Sequence, residues 1–306
     1  MIETALWIAC ALLLDRLLGE PARFHPLVGF GNVASFIEQR LNSSVHSSIK
    51  QRTAGILSWF IVIAPWLAII FLLWQQTALR PFINIIILYF ALGMQSLGEH
   101  AHRIQAALES NNLALARQRV GDIVSRDTAA MQPEDVARAG VESVLENGND
   151  AVFATLFWFS VAGAPGVLLY RLSNTLDAMW GYRTPRFFYF GWAAARIDDA
   201  LNFIPARLTA LTYALLGQTR HALRCWQQQA AAWDSPNAGP VMASGAGSLN
   251  IRLGGAANYH GNMEVRPTLG TDGAPQASDI SRAMALVTRG AWLWAALLLL
   301  AGVIYA

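Results

Sequence analysis

Long apolar runs, broken by short polar segments, set the pattern of this chain. A helix needs about 20 apolar residues to cross a bilayer. By that rule, spans are expected near 2–18, 54–74, 82–97, 151–170, 201–216 and 290–306. Ala54–Trp74 is the clearest, with Pro65 placed to kink it. Only a short link holding Arg80 and Pro81 separates it from Phe82–Leu97, so the two form a helical hairpin. In Ala151–Tyr170 the break Gly163-Ala164-Pro165-Gly166 points to a bent or re-entrant element. Such backbone is tolerated at membrane depth where protein or a cavity shields it. The expected fold is all-α: a polytopic integral membrane helical bundle, one membrane-embedded domain over 1–306, its polar site built from loops and helix ends.

The polar segments carry their own signals. After Arg126, Gln132 precedes Pro133, Glu134 and Asp135 follow in a first turn, and Gly148 marks a stop. This predicts a helix with Arg138, Glu142 and Glu146 on one face. A solvated ladder of ion pairs explains that spacing as well as a site does. Thr219–Trp233 reads as an amphipathic surface helix. Asp234–Gly273 is rich in Gly, Pro, Ser and Asn and reads as a loop able to bring N–H groups to an anion, or as a plain connector. Ser278 is expected to cap the last helix. No internal repeat stands out.

Composition agrees with a membrane protein. Of 306 residues 54% are hydrophobic and 14% charged, against roughly 25% charged in a soluble domain. Net charge is +2, which gives no pull toward nucleic acid. The two cysteines, Cys10 and Cys225, suggest neither disulfide nor zinc. The N-terminal run has no basic leader or cleavage pattern and reads as a retained anchor. Basic residues fall in Gly19–Thr53 (Arg23, Arg40, Lys50, Arg52) and in Gly98–Asp150, which places both in the cytoplasm.

The segment Arg196-Ile197-Asp198-Asp199-Ala200-Leu201-Asn202 holds the sharpest chemistry. On a helix Asp198 and Asn202 share a face, as do Asp199 and Asn202. Two carboxylates and an amide make a hard-oxygen site that suits magnesium. The plainer reading is an Arg196–Asp199 salt bridge. A zinc hydrolase, a Gly-x-Ser-x-Gly hydrolase and a Walker A loop all lack their motifs. His25 and His260 each read first as satisfied loop histidines. The residues alone reach a membrane enzyme handling a phosphorylated substrate with magnesium. Two alternatives stay open. One is an intramembrane prenyltransferase, with Asn174-Thr175-Leu176-Asp177 as a second acidic motif. The other is a non-enzymatic transporter or sensor, which predicts paired half-helices in two repeats.

Several long motifs, in order and over nearly the whole chain, resemble the adenosylcobinamide-phosphate synthase family of cobalamin biosynthesis (the CobD/CbiB group). They are LLLDRLLGEPARFHPLVGFGN, VSRDTAAMQPEDVARAGVESVLENGNDAVFATLFW, GAPGVLLYRLSNTLDAMWGYR, FGWAAARIDDALNFIPARLTAL and SPNAGPVMASGAGSLNIRLGGAANYHG. The resemblance implies an ATP-dependent amide ligase of the cytoplasmic (inner) membrane, its active site facing the cytoplasm. It would join an aminopropanol phosphate, or a related amino alcohol, to the free propionate of adenosylcobyric acid. Mg2+ would be the cofactor and ATP the co-substrate. The partners are the corrinoid, the amino-alcohol phosphate, ATP and membrane lipid, with room for a homo-oligomer or for association with other corrinoid-pathway enzymes. On this resemblance Asp198, Asp199 and Asn202 are the metal candidates. Glu142, Glu146, Asp150 and Asp177 are the catalytic candidates. Arg126, Asp127, Arg171, Asn174, Arg196, Arg207, Ser235, Asn237 and His25 are the binding candidates. Pro240-Val241-Met242 departs from an aromatic–acidic step common in the family, and Glu20-Pro21 from the usual Asp-Pro. A related group linked to β-lactamase induction is the non-catalytic alternative.

Overall fold

The computed structural model describes residues 1–21, 25–43, 47–124, 126–259 and 261–306, so Arg23, Ser125 and His260 lie outside the described residues. In chain order the elements are α1 (Ile2–Leu18), α2 (Pro26–Leu41), α3 (Ser48–Trp74), α4 (Arg80–Ala91), α5 (Met94–Glu109), α6 (Leu113–Gly121) and α7 (Pro133–Gly148). A π-helical turn (Asn149–Phe153) leads into α8 (Ala154–Trp180). Then come α9 (Trp192–Leu216), α10 (Thr219–Gln229), α11 (Ala238–Leu249), the strands β1 (Arg252–Tyr259) and β2 (Asn262–Gly270), and α12 (Ala277–Ile304). The protein is a predominantly helical membrane protein with one small antiparallel hairpin.

Among the described residues, four helical stretches are long and apolar enough to cross a membrane: Ser48–Trp74, Arg80–Glu109, Pro133–Trp180 and Ala277–Ile304. The chain divides into two units, one of Met1–Gly93, Ala154–Asn202 and Leu298–Ala306, the other of Met94–Phe153 and Phe203–Leu297.

In the first unit α3 packs on α2, α4 and α8, and α1 packs on α4. Trp59, Ile63, Leu176, Trp180 and Phe190 form its core. The outer face of α3 exposes Leu57, Phe60, Ile61, Trp66, Ile69 and Leu72, an apolar face suited to lipid. The expected hairpin is present as α3 and α4, joined by a turn where the Arg80 guanidinium lies over the Trp74 ring. The run 82–97 is not one regular helix: Leu92 adopts an extended conformation that ends α4 before α5 begins.

The break in 151–170 is a kink inside α8. Ala162 and Gly163 leave helical geometry, with Gly163 at φ +61°. A side chain there is strained, and Pro165 lacks an N–H to restore the ladder. Asn84 on α4 offsets the loss: its Oδ1 accepts from the Ala164 N–H at 3.0 Å and from Trp74 Nε1–H at 2.9 Å.

In the second unit α7 packs on α5, α6, α11 and β1. Its start is the expected one: Gln132 and Asp135 form a reciprocal cap before Pro133. The Tyr213 hydroxyl donates to the Leu145 carbonyl, just ahead of the π-helical turn.

Two expectations are corrected here. Asp234–Gly273 is not a loop. It holds α11, with every residue from Ala238 to Leu249 buried, followed by the β1–β2 hairpin. The small residues serve close packing: a Cβ at Gly247 would lie 2.7 Å from the His221 carbonyl, and one at Gly245 2.6 Å from Leu145. The last helix starts at Ala277, and Asp279 rather than Ser278 supplies the cap, accepting from the Gln276 N–H at 2.8 Å.

Candidate functional site

The predicted residues gather into two polar centres, one in each unit. In the first unit α8 and α9 present a chain of hydrogen bonds. Arg171 donates to Asn174 Oδ1 (3.3 Å), and Asn174 Nδ2 donates to Asp198 Oδ1 (3.2 Å). Asn202 Nδ2 donates to Asp198 Oδ2 (3.1 Å), and Tyr170 donates to Asn202 Oδ1 (3.2 Å). The Asp198–Asn202 pair therefore forms as the helical spacing predicts. Asp199, one residue on, turns away toward Arg196 at 3.4 Å, the plain salt bridge. Burial raises the Asp199 carboxyl above its usual range, opposed by Arg196 and Arg183. Asp177 is half-buried on α8, and its carboxylate makes no hydrogen bond or ion pair among the described residues while feeling the charges of Asp198 and Asp199.

Three carboxylates so close favour a cation. They do not converge into a cage: among the described residues no three His, Cys, Asp or Glu side chains are arranged to hold a metal ion. Magnesium ordinarily keeps waters and takes one or two carboxylates plus substrate phosphates. The donor set of Asp177 and Asp198, with Asp199 beside them, fits an ion held in that open manner. Asn202 turns its amide nitrogen to Asp198, so it orients the carboxylate and does not itself offer oxygen there.

His25 stands apart from this chain. It caps α2, with Nδ1 accepting from the Leu27 N–H at 3.3 Å. Burial holds its pKa below the ordinary histidine value, Glu20 opposing and Arg171 assisting.

The second unit holds a cavity of about 500 Å³, in the range of small-molecule sites. Glu142 is its buried anchor. One oxygen accepts from Arg126 Nη2 (2.5 Å) and Arg266 Nη1 (3.0 Å). The other accepts from Arg266 Nη2 (3.2 Å) and the Gly254 N–H (2.8 Å). Every lone-pair direction of this carboxylate is used. It positions two guanidiniums and has no capacity left to accept a proton. The expected ladder does not form, because Arg138 turns to Glu134 and Asp135. Glu146, one turn on, lines the cavity and is exposed, and its carboxylate makes no hydrogen bond or ion pair among the described residues.

Arg266 is the residue that sequence reasoning missed. The composition of 234–273 suggests a loop, and nothing in the spacing ties Arg266 to Glu142. The hairpin brings it there through an irregularity. Gly254 pairs with Thr268 but Gly255 pairs with Arg266, leaving Pro267 as the extra residue of a bulge. Gly254 at φ +76° turns its N–H onto Glu142. Arg126 lies over the Tyr259 ring and Arg266 over Trp233.

The other candidates hold the scaffold. Asp127 accepts from the Gly261 N–H at 2.7 Å and so fixes the hairpin tip. Arg207 donates to Asn237 Oδ1 (2.8 Å) and the Pro236 carbonyl (3.0 Å), with its guanidinium over the Phe203 ring. Ser235 Oγ accepts from the Asn237 and Ala238 N–H groups, capping α11. Asp150 accepts from Asn149 Nδ2, and Asn149 Oδ1 accepts from Thr209 in the buried wall behind the π turn.

Comparison with known proteins places these residues in a family. Residues 8–287 match the family described as CobD/Cbib protein. A protein of Stutzerimonas stutzeri called cobalamin biosynthesis protein CobD is 58% identical over 97% of both chains. One of the same description from Chromobacterium violaceum is 52% identical over 99% of this chain and 98% of its own. One from Mycobacterium tuberculosis is 37% identical over 92% of this chain and 90% of its own. No solved structure matches.

Proposed function

The chain belongs to the CobD/Cbib family, and from that premise we propose that this membrane protein of cobalamin biosynthesis is an amide ligase. It joins an aminopropanol phosphate, or a related amino alcohol, to the free propionate of adenosylcobyric acid, using ATP. The observation that carries the reading is the near-complete match, which takes in both polar centres.

A carboxylate is a poor acyl donor. Transfer of the γ-phosphoryl group of ATP to the propionate gives an acyl phosphate and ADP. The amine nitrogen then attacks the acyl carbon, the C–N bond forms, phosphate departs, and the nitrogen gives up a proton. The enzyme's part is to position the reactants and balance their charge. Asp177 and Asp198, with Asp199 beside them, would hold magnesium, which supplies neutralisation of phosphate charge. Arg171 and Asn174 orient Asp198. Arg126 and Arg266, locked on Glu142, bind an anionic group. Glu146, one helical turn from Glu142 and without an ion pair among the described residues, takes the proton. Arg-rich polar segments and the need for ATP support a cytoplasmic membrane location with the chemistry on the cytoplasmic side.

The test is turnover in vitro with adenosylcobyric acid, ATP, magnesium and aminopropanol phosphate. Formation of the corrinoid amide with ADP is expected, and Asp198→Asn and Asp199→Asn each abolish it while the protein still inserts and purifies. Absence of any corrinoid product would put a regulatory membrane protein ahead. Pyrophosphate release from a prenyl diphosphate would favour a transferase.

A further inference from the structure

The cavity of the second unit is unusual in its balance of charge. Two guanidiniums, Arg126 and Arg266, face four carboxylates: Glu142, Glu146, Asp234 and Glu264. One of the four, Glu142, is consumed in holding both arginines. Glu146, Asp234 and Glu264 are all exposed and make no ion pair among the described residues; of the three, only Glu146 shares α7 with the anchor Glu142, one helical turn away. A polyphosphate entering here would meet an excess of negative charge. A simple cation would meet the arginines. A ligand that carries both charges satisfies each side.

We infer that this cavity reads the two ends of one small zwitterion: Arg126 and Arg266 take its phosphate, and Glu146 takes its ammonium. Arg126 commits only Nη2 to Glu142 among the described residues, which leaves Nε and Nη1 for the anion. Arg266 is held by Glu142 beside the Trp233 ring, its Nε on the Gly255 carbonyl, so its charge is fixed in place. A fixed guanidinium loses little entropy on binding, which is where Arg surpasses Lys. A volume of about 500 Å³ is ample for an amino-alcohol phosphate. The inference rests on the proposed ligase reading only for the identity of the amine. It adds Arg266 as a specificity residue and gives Glu146 a binding task before any proton moves.

The test is calorimetric binding to the full chain in detergent, without ATP or corrinoid. The probes are aminopropanol phosphate, isopropyl phosphate lacking the amine, and 1-amino-2-propanol lacking the phosphate. Aminopropanol phosphate is expected to bind about tenfold or more tighter than either. In Glu146→Gln its advantage over isopropyl phosphate collapses toward unity. In Arg266→Lys both phosphates weaken about tenfold, while the ratio between them persists. The Glu146 carboxylate has no partner to lose among the described residues, so Glu146→Gln is expected to fold and decides the matter even if Arg266→Lys does not. Equal binding of the three probes, or an undiminished ratio in Glu146→Gln, overturns the inference. Turnover with an unchanged Glu146→Gln ratio removes the pocket assignment and leaves the ligase. A zwitterion preference without corrinoid turnover does the reverse.

Discussion

Glu142 and Glu146 lie one helical turn apart on α7 and meet opposite fates. The first is buried with its oxygens saturated by two guanidiniums and a backbone N–H; the second is left unpaired toward the cavity. Glu142→Ala strips the counter-ion from two buried arginines, an uncompensated loss of about 3–5 kcal/mol. Glu146→Gln is expected to stay within about 0.5 kcal/mol of the parent. Unfolding in detergent followed by tryptophan fluorescence separates the two, and similar losses would remove the anchor role. Spacing on α7 marks both residues as candidates. It cannot assign the roles, because the partners that distinguish them come from residues 126, 254 and 266. His25 gives a pH-dependent counterpart. Its pKa is lowered by burial and its Nδ1 accepts the Leu27 N–H, a bond only the unprotonated ring makes. The stability it contributes is present above the unfolded histidine pKa, about 6.5, and is lost as pH falls through the lower folded value. His25→Asn keeps a cap and is expected to flatten that part of the stability profile between pH 7.5 and 5. An unchanged profile would deny the cap its titration.

At the scale of elements, signals that are local in the chain read clearly. Gln132-Pro133 and Gly148 bound α7, and Gly163-Ala164-Pro165-Gly166 marks the kink in α8, because capping and missing N–H groups act within one turn. What closes the kink is not local: Asn84 reaches it from another helix. Asn84→Leu leaves the Ala164 N–H and Trp74 Nε1–H without this acceptor and is expected to cost about 1–3 kcal/mol, measured by the same unfolding assay. No loss would assign the kink's stability elsewhere. Residues 234–273 fold as a helix and a hairpin against their composition. Glycine there suggests a loop by propensity, yet in α11 it allows close packing, and in β1 it makes a bulge. Tertiary packing overrides propensity in both. Gly254→Ala sets a Cβ 2.0 Å from the Pro267 carbonyl at φ +76°. The expected outcome is proteolytic opening of the hairpin and loss of phosphate binding in the cavity. An intact hairpin that still binds would show that the bulge can relax.

For the whole molecule, apolar length was the legible quantity and the grouping of polar residues was not. Four of the six expected spans fall in stretches that are long and apolar enough to cross a membrane, with α4 ending earlier and α12 beginning earlier than the runs suggest; 2–18 and 201–216 lie in the helices α1 and α9, which are not among those four. The candidate residues divide between the two units, Asp177 and Asp198 in one, Glu142 and Arg266 in the other, a partition no spacing encodes. The proposed orientation is open to direct test. With Cys10→Ser as background, Lys50→Cys and Gln118→Cys are expected to react with an impermeant maleimide only in inverted vesicles. Labelling from the outer side would reverse the assignment. The division has a further consequence for anyone handling the gene. The polypeptide changes unit four times, after Gly93, Phe153, Asn202 and Leu297. No contiguous stretch of coding sequence therefore specifies either body alone, and a product that stops after Asn202 carries an incomplete part of each. A crossover between relatives inside residues 94–297 divides both interiors between the two parents.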